Sequence, residues 1–333
     1  MVWGFFRAVL NGPSMLYQMY SQLYPPKPEW STNDIPGLSG QVILITGANT
    51  GLGFECAYEL AAHGARVYAT ARSAEKGTPA VNDLNARVAA LNDKKSGEVV
   101  FLRLDLDDLK SVKAAVEEFK SREKRLDVLI NNAGVMMPPV GAANAAGMEL
   151  QFSTNVLGPF VLTKLLLPVL QQTARQREDG MVRIINISSF AHVAAPLSGI
   201  YFDDLFAGSK LARYGQSKLA ALLFTNELAR RYTDEGIVSI SVNPGNIGTP
   251  LWRYQSSFFS ASTISPLHPV SLGILTHLYA STSLDVTKAD SGGYFMPWAR
   301  KGQPLRQIAN DAALASKLWD WCEAETKRAD INA

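Results

Sequence analysis

From Gln41 onward, short unbroken apolar runs alternate with longer stretches whose apolar residues recur at helical spacing. Strands are predicted over residues 42–46, 66–71, 99–104, 127–130, 182–187 and 237–242, with another near Gly293-Tyr294-Phe295. A helix is expected after Gly51, carrying Phe54, Ala57, Leu60 and Ala61 on one face, and others over 111–119, 149–170 and 210–232. Continuous apolar strands are strands covered on both faces, so the pattern predicts α/β architecture built on a parallel sheet. Ligands of such sheets bind at the carboxyl ends of the strands. The chemically suggestive motifs all fall just after a strand or on the helix that follows.

The pattern differs before Gln41. Residues 1–10 are apolar and aromatic with one arginine, and break at Asn11-Gly12-Pro13, too short a run to span a bilayer. Residues 15–24 read as a short helix with Leu16, Tyr17, Tyr20 and Leu23 on one face. Two readings stay open for residues 1–24: a foot on a membrane surface, or an arm packed on the protein's own core or a partner. Pro25-Pro26-Lys27-Pro28 marks a linker. The expected organisation is therefore an arm and linker over 1–37 and a single domain over 38–333.

The 333 residues are 47% apolar, enough for a large core, and 32 basic against 30 acidic side chains give no support for a nucleic-acid partner. Cys56 and Cys322 have no CxxC neighbour, and the four histidines are scattered. Neither a disulfide framework nor a metal site is expected, and a reducing, cytoplasmic compartment fits, with the arm as the candidate membrane contact.

The turn Thr46-Gly47-Ala48-Asn49-Thr50-Gly51-Leu52-Gly53 follows the first strand and opens a helix. Bare glycines let backbone approach a pyrophosphate, and the helix start points free N–H groups at it. Gly47, Asn49, Gly51, Leu52 and Gly53 are the expected contacts of a dinucleotide. The second strand ends in Arg72 with no acid, and Lys76 follows. A cation there suits the 2′-phosphate of NADP, where an acid would suit NAD, so NADPH is the expected cofactor. Asp105, after the third strand, is placed to accept from the adenine amino group, or alternatively to belong to a helix N-cap with Asp107 and Asp108. Asn132 offers an amide where the cofactor's ribose would pass.

Tyr214 and Lys218 are four residues apart on one predicted helix and share a face. A phenol ordinarily titrates near 10. A neighbouring ammonium favours phenolate and fits the tyrosine for acid–base work. Ser188 and Ser189 close the strand before that helix and can bond a substrate oxygen. Asn155 lies in the preceding helical stretch.

Thr-Gly-x-x-x-Gly-x-Gly, Asn-Asn-Ala-Gly, Asn-Val-x-Gly, Ser-Ser, Tyr-x-x-x-Lys and Pro-Gly occur in this order. The chain resembles the short-chain dehydrogenase/reductase family over roughly residues 38–249, plus the strand near 293–295. The resemblance implies a Rossmann-type doubly wound fold with a seven-stranded parallel sheet flanked by helices. It also implies roles. Tyr214 donates the proton in reduction, and Lys218 lowers its pKa and holds the nicotinamide ribose. Ser189 polarises the carbonyl, with Ser188 as the open alternative. Asn155 helps hold a water that relays protons through Lys218, and Ile247 and Thr249 contact the carboxamide. The helix from Lys210 is where family members often pair, so a homodimer is expected.

The 25 positions from Ser189 to Tyr214 exceed the usual family gap and hold Tyr201-Phe202-Asp203-Asp204-Leu205. This insert resembles the retinol-dehydrogenase and WW-domain-oxidoreductase branch. Tyr201 is rejected as catalytic because Leu205, not lysine, stands four residues later. His192 is read as a loop residue, with substrate contact as the alternative. A substrate loop is expected over residues 250–269, carrying Leu251, Trp252, Tyr254, Phe258 and Phe259. The function expected is an NADP(H)-dependent oxidoreductase interconverting a ketone or aldehyde with an alcohol on an apolar small molecule: a retinoid, a lipid aldehyde or a secondary-metabolite ketone. The alternative is a non-catalytic dinucleotide-binding sensor or scaffold, which would bind NADPH without turnover.

Overall fold

Along each central strand, successive side chains enter opposite hydrophobic clusters, as the two-residue period of a strand requires. Leu44 and Leu129 join one cluster, while Ile43, Ile45, Val128 and Ile130 join the other. The computed structural model describes residues 13–93, 95–254 and 266–331. The expectations placed on residues 1–10 and on Phe258 and Phe259 lie outside them.

The sheet has eight strands in the order β3-β2-β1-β4-β5-β6-β7-β8. They are β1 Val42–Ile45, β2 Arg66–Ala71, β3 Glu98–Arg103, β4 Val128–Asn131, β5 Val182–Ile187, β6 Ile237–Val242, β7 Tyr294–Met296 and β8 Arg300–Gly302. The first seven pair in parallel and β8 returns antiparallel to β7. The expected count of seven strands is corrected to eight. The extra strand is a three-residue polar edge, Arg300-Lys301-Gly302, which carries no apolar signal.

One face is covered by α2 (Gly51–Ala62), α3 (Ala74–Ala89) and α7 (Val270–Thr282), the other by α4 (Leu109–Arg122), α5 (Gly158–Gln176), α6 (Lys210–Tyr232) and α8 (Ala312–Arg328). The long helix expected over 149–170 is broken. A single turn, Leu150–Phe152, and a π-helical turn, Ser153–Leu157, precede α5. Such π-turns are frequent at functional sites, and this one carries Asn155.

The helix expected to pair two copies is covered by the chain itself. From Arg213 to Leu228 all of α6 except the part-buried Asn226 is buried. Trp319 of α8 packs on Phe160 and Phe224 at centroid distances of 5.0 and 6.0 Å, and Lys164 pairs with Glu323 at 2.7 Å. The insert before α6 lies beneath α8, with Phe202 6.3 Å from Trp321.

The arm folds as α1 (Pro13–Leu23), with most of the expected apolar face turned outward. Leu16, Tyr17 and Tyr20 are exposed, whereas Ser21 and Gln22 are buried.

Candidate active site

The site forms where β1, β4, β5 and β6 end. The turn after β1 bends through Gly47 and Gly51, both at positive φ (+66° and +62°), which glycine adopts without strain. A Cβ on Gly53 would stand 2.5 Å from Asn132 Nδ2 and 2.7 Å from the Gly47 carbonyl, so only glycine fits. Thr50, at the N-cap of α2, makes no side-chain capping bond, which leaves the helix start open to an anion. Asn49 is half-buried in the turn, and Leu52 reaches across to α7, where a Cβ on Gly273 would meet it at 2.7 Å. The cradle fits a pyrophosphate.

Asn132 stands directly after β4, and its amide donates to the carbonyls of Thr46 (2.8 Å) and Gly47 (3.3 Å), bracing the glycine turn. Asp105 accepts from the Asp107 amide at 3.1 Å, and the N-cap of α4 is Asp108, which accepts from Lys110. Asp107 is more deeply committed, accepting from Thr154 Oγ1 at 2.6 Å, with burial raising its carboxyl.

Arg72 and Lys76 lie exposed at the end of β2 and the start of α3. Among the described residues neither joins an ion pair within 4.0 Å. Sequence reasoning missed Arg103. It sits in register with Ala71 and donates to the Arg72 carbonyl at 3.4 Å, adding a second guanidinium to this corner. The register of two parallel strands was the available signal.

Tyr214, Lys218, Ser189 and Asn155 converge. Ser209 caps α6 by accepting from Ala212, and Tyr214 and Lys218 face inward one turn apart. Gly215 lets this turn sit against the strand-5 loop, since a Cβ there would lie 2.6 Å from the Ala195 amide. Lys218 Nζ donates to the Ile187 carbonyl at 2.8 Å and lies 5.7 Å from the Tyr214 ring centroid. Asn155 donates to Ser217 Oγ (3.0 Å) and to the Val135 carbonyl (3.0 Å), and accepts from the Val135 amide (2.9 Å). A Cβ on Gly134 would lie 3.2 Å from Asn155 Oδ1 and 3.7 Å from Lys218 Nζ. A cavity of about 10 Å³ beside them is lined by Asn131, Asn155, Asn186 and Lys218, room for about one water.

The two serines separate. Ser188 is buried and donates to the Lys218 carbonyl at 2.8 Å, stapling α6 to β5. The Ser189 side chain lies near enough to the Tyr214 phenol to pull its pKa down, and it accepts from the Ala191 amide at 3.1 Å. Burial pushes Tyr214 up to about 12, against the pull of Ser189, and pushes Lys218 down to about 8. The phenol therefore stands above its usual range, and the pull against burial comes from Ser189. At neutral pH the pair is a neutral acid beside an ammonium.

His192 is fully buried, and burial pushes it down to about 4. Neutral, it donates from Nδ1 to the Ser189 carbonyl (2.7 Å) and accepts the Leu305 amide at Nε2 (3.1 Å). Both ring nitrogens are occupied, so it holds the serine loop and does not touch substrate.

Around the phenol, Met136 and Met137 form a separate apolar cluster with Tyr214, and Ala191, Leu251 and Trp252 pack against it. Met137 has φ +46°, an uncommon backbone for a non-glycine residue. Sequence reasoning named Leu251 and Trp252 but missed the two methionines, although they directly follow Asn-Asn-Ala-Gly-Val. The loop after β6 closes the opposite wall. Ile247 is buried and bridges to His268, and the Thr249 side chain lies 3.6 Å from where a Gly51 Cβ would stand. Tyr254 is exposed at the end of the described part of the loop.

The family described as short chain dehydrogenase matches residues 41–258. A short-chain dehydrogenase/reductase of Armillaria gallica is 44% identical over 314 residues, 93% of this chain and 98% of that protein. An uncharacterised protein of Mycobacterium paratuberculosis has a crystal structure similar to this one, with TM-score 0.66, 33% identity, and coverage of 90% of this chain and 97% of that one. The NADPH-bound carbonyl reductase from chicken fatty liver is also similar, with TM-score 0.58, 26% identity, and coverage of 77% and 96%.

Proposed function

This chain belongs to the short-chain dehydrogenase/reductase family, and from that membership we propose that it is an NADP(H)-dependent oxidoreductase interconverting a ketone or aldehyde and an alcohol on an apolar small molecule. The convergence of Ser189, Tyr214 and Lys218 beside the glycine cradle carries this reading. The carbonyl reductase similar to it is bound to NADPH, and Arg72, Lys76 and Arg103 form a cationic corner suited to a 2′-phosphate.

A nicotinamide dinucleotide, when bound, supplies or takes up the hydride. In reduction, the neutral Tyr214 gives its phenolic proton to the carbonyl oxygen, while the Ser189 hydroxyl donates a hydrogen bond to that oxygen. The Lys218 ammonium, anchored on Ile187, then stabilises the phenolate left behind. A water in the cavity between Asn155 and Lys218 would return the proton. Met136, Met137 and Trp252 exclude water from the reacting oxygen and select an apolar substrate. Relatives named as short-chain dehydrogenase/reductases come from several fungi, and a secondary-metabolite ketone or aldehyde suits this pocket.

The test is NADPH oxidation across a panel of ketones and aldehydes, with NADH in parallel. Turnover of apolar members with NADPH preferred supports the reading. Tight NADPH binding with no turnover across the panel would favour a sensor.

A further inference from the structure

Gln22 is 2% exposed, the most buried of the arm's described residues, on a helix that leaves Leu16, Tyr17 and Tyr20 exposed. Its Oε1 accepts two buried hydrogen bonds from far along the chain: Asn243 Nδ2 at 3.0 Å and the Tyr294 hydroxyl at 2.7 Å. The neighbouring Ser21 carbonyl accepts from Arg300 at 2.8 Å. The arm is therefore seated on the end of β6 and the start of β7, beside the loop that leads to Ile247 and Thr249.

Both donors lead to the active site. Asn243 uses its Oδ1 to accept the Gly245 amide at 3.0 Å, shaping the Pro244-Gly245 turn that leads to Ile247 and Thr249. Tyr294 presents its ring edge-on to His192, centroids 5.7 Å apart, and His192 in turn holds the Ser189 carbonyl. One oxygen on the arm thus joins the loop after β6 to the loop after β5. A buried donor without an acceptor is costly, so removing that oxygen leaves Asn243 and Tyr294 each seeking another partner.

We propose that Gln22 is a positioning residue of the active site, and that the N-terminal arm is a structural part of the catalytic end, locking the Ser189 and Pro244-Gly245 loops in one arrangement. The kinetic part of this proposal rests on the oxidoreductase reading; the bracing part does not.

The test uses the full chain with Gln22→Met, close in size but without the acceptor, and Gln22→Glu, whose carboxyl takes up a proton when buried and so keeps one acceptor oxygen, with an O–H where Nε2, an atom without a partner, stood. Amide hydrogen exchange is measured on each without substrate. In Gln22→Met, exchange over residues 189–195 and 243–249 should accelerate about ten-fold or more, with β1 to β3 unchanged, and Gln22→Glu should stay near the parent. Unchanged exchange in both loops overturns the proposal, as does equal acceleration across the sheet or identical behaviour of the two variants. Kinetics then use NADPH and the panel carbonyl turned over fastest. Gln22→Met should lower kcat about ten-fold at unchanged KM for NADPH, with Gln22→Glu restoring most of it. An unchanged kcat, or a rise in KM alone, overturns the positioning role. Absence of turnover in the parent would instead fault the oxidoreductase reading, and the exchange result would still decide the bracing.

Discussion

Lys218 Nζ is bonded to the carbonyl of Ile187 and lies 5.7 Å from the centre of the Tyr214 ring, one helical turn away. The bond fixes a long flexible side chain beside the phenol at the end of β5. Burial leaves the phenol protonated and the lysine only just charged at neutral pH, the former raised to about 12 and the latter lowered to about 8. A neutral phenol in that position can donate a proton.

Cofactor choice should turn on the corner at the end of β2. Arg72 is exposed there and unengaged by any carboxylate within 4.0 Å among the described residues. Arg72→Asp should shift the ratio of kcat/KM for NADPH over NADH toward NADH by roughly 10²-fold, since the acid repels a 2′-phosphate and accepts from a 2′-OH. An unchanged ratio would mean that Arg72 does not read this group.

The glycine cradle has no room for a methyl at Gly53, where the nearest atoms would be 2.5 and 2.7 Å away. Gly53→Ala should push Asn132 and the Gly47 backbone apart and weaken NADPH binding about ten-fold or more, about 1.4 kcal/mol. Fluorescence titration with NADPH measures it; parent-like affinity would show that the turn does not hold the cofactor.

Acid should destabilise the protein before its carboxylates titrate. Burial holds His192 and His277 down to about 4, whereas unfolded histidine titrates near 6.5. Below that value the unfolded chain takes up protons that the folded chain refuses, so stability is lost as pH falls from about 6.5 toward about 4. Thermal melts from about pH 7 to about pH 5 should show a falling Tm, with a shallower fall for His277→Met. A flat Tm over this window would contradict the neutral, buried state of both rings.

We expect one chain in solution, because α8 and the insert beneath it pack over α6. Sedimentation should give the mass of one chain, 36.2 kDa. A dimer cross-linked through residues of α6 would contradict this.

Much of the site was legible because its parts are local. Strands β5 and β6 and helix α6 lie where their apolar runs and helical period place them, and Ser-Ser and Asn-Pro-Gly stop the strands. Helix α3 was missed because Gly77-Thr78-Pro79 reads as a breaker. Gly77 is there for tertiary reasons, as a Cβ would strike the Phe101 ring at 2.0 Å. The buried side of α1 was illegible for the opposite reason. Its apolar period points one way, while the donors that draw Gln22 inward are more than 200 positions away in sequence. The same holds for the Tyr214 phenol. Spacing shows the lysine beside it, but only the folded structure shows how completely both are sealed from water.

The most direct test of the account is Tyr214→Phe, assayed for NADPH binding and for turnover of the best panel carbonyl. The account predicts NADPH affinity close to the parent's and kcat reduced by about 10²–10⁴-fold, the loss of one positioned proton donor. Parent-like turnover in the variant would contradict it.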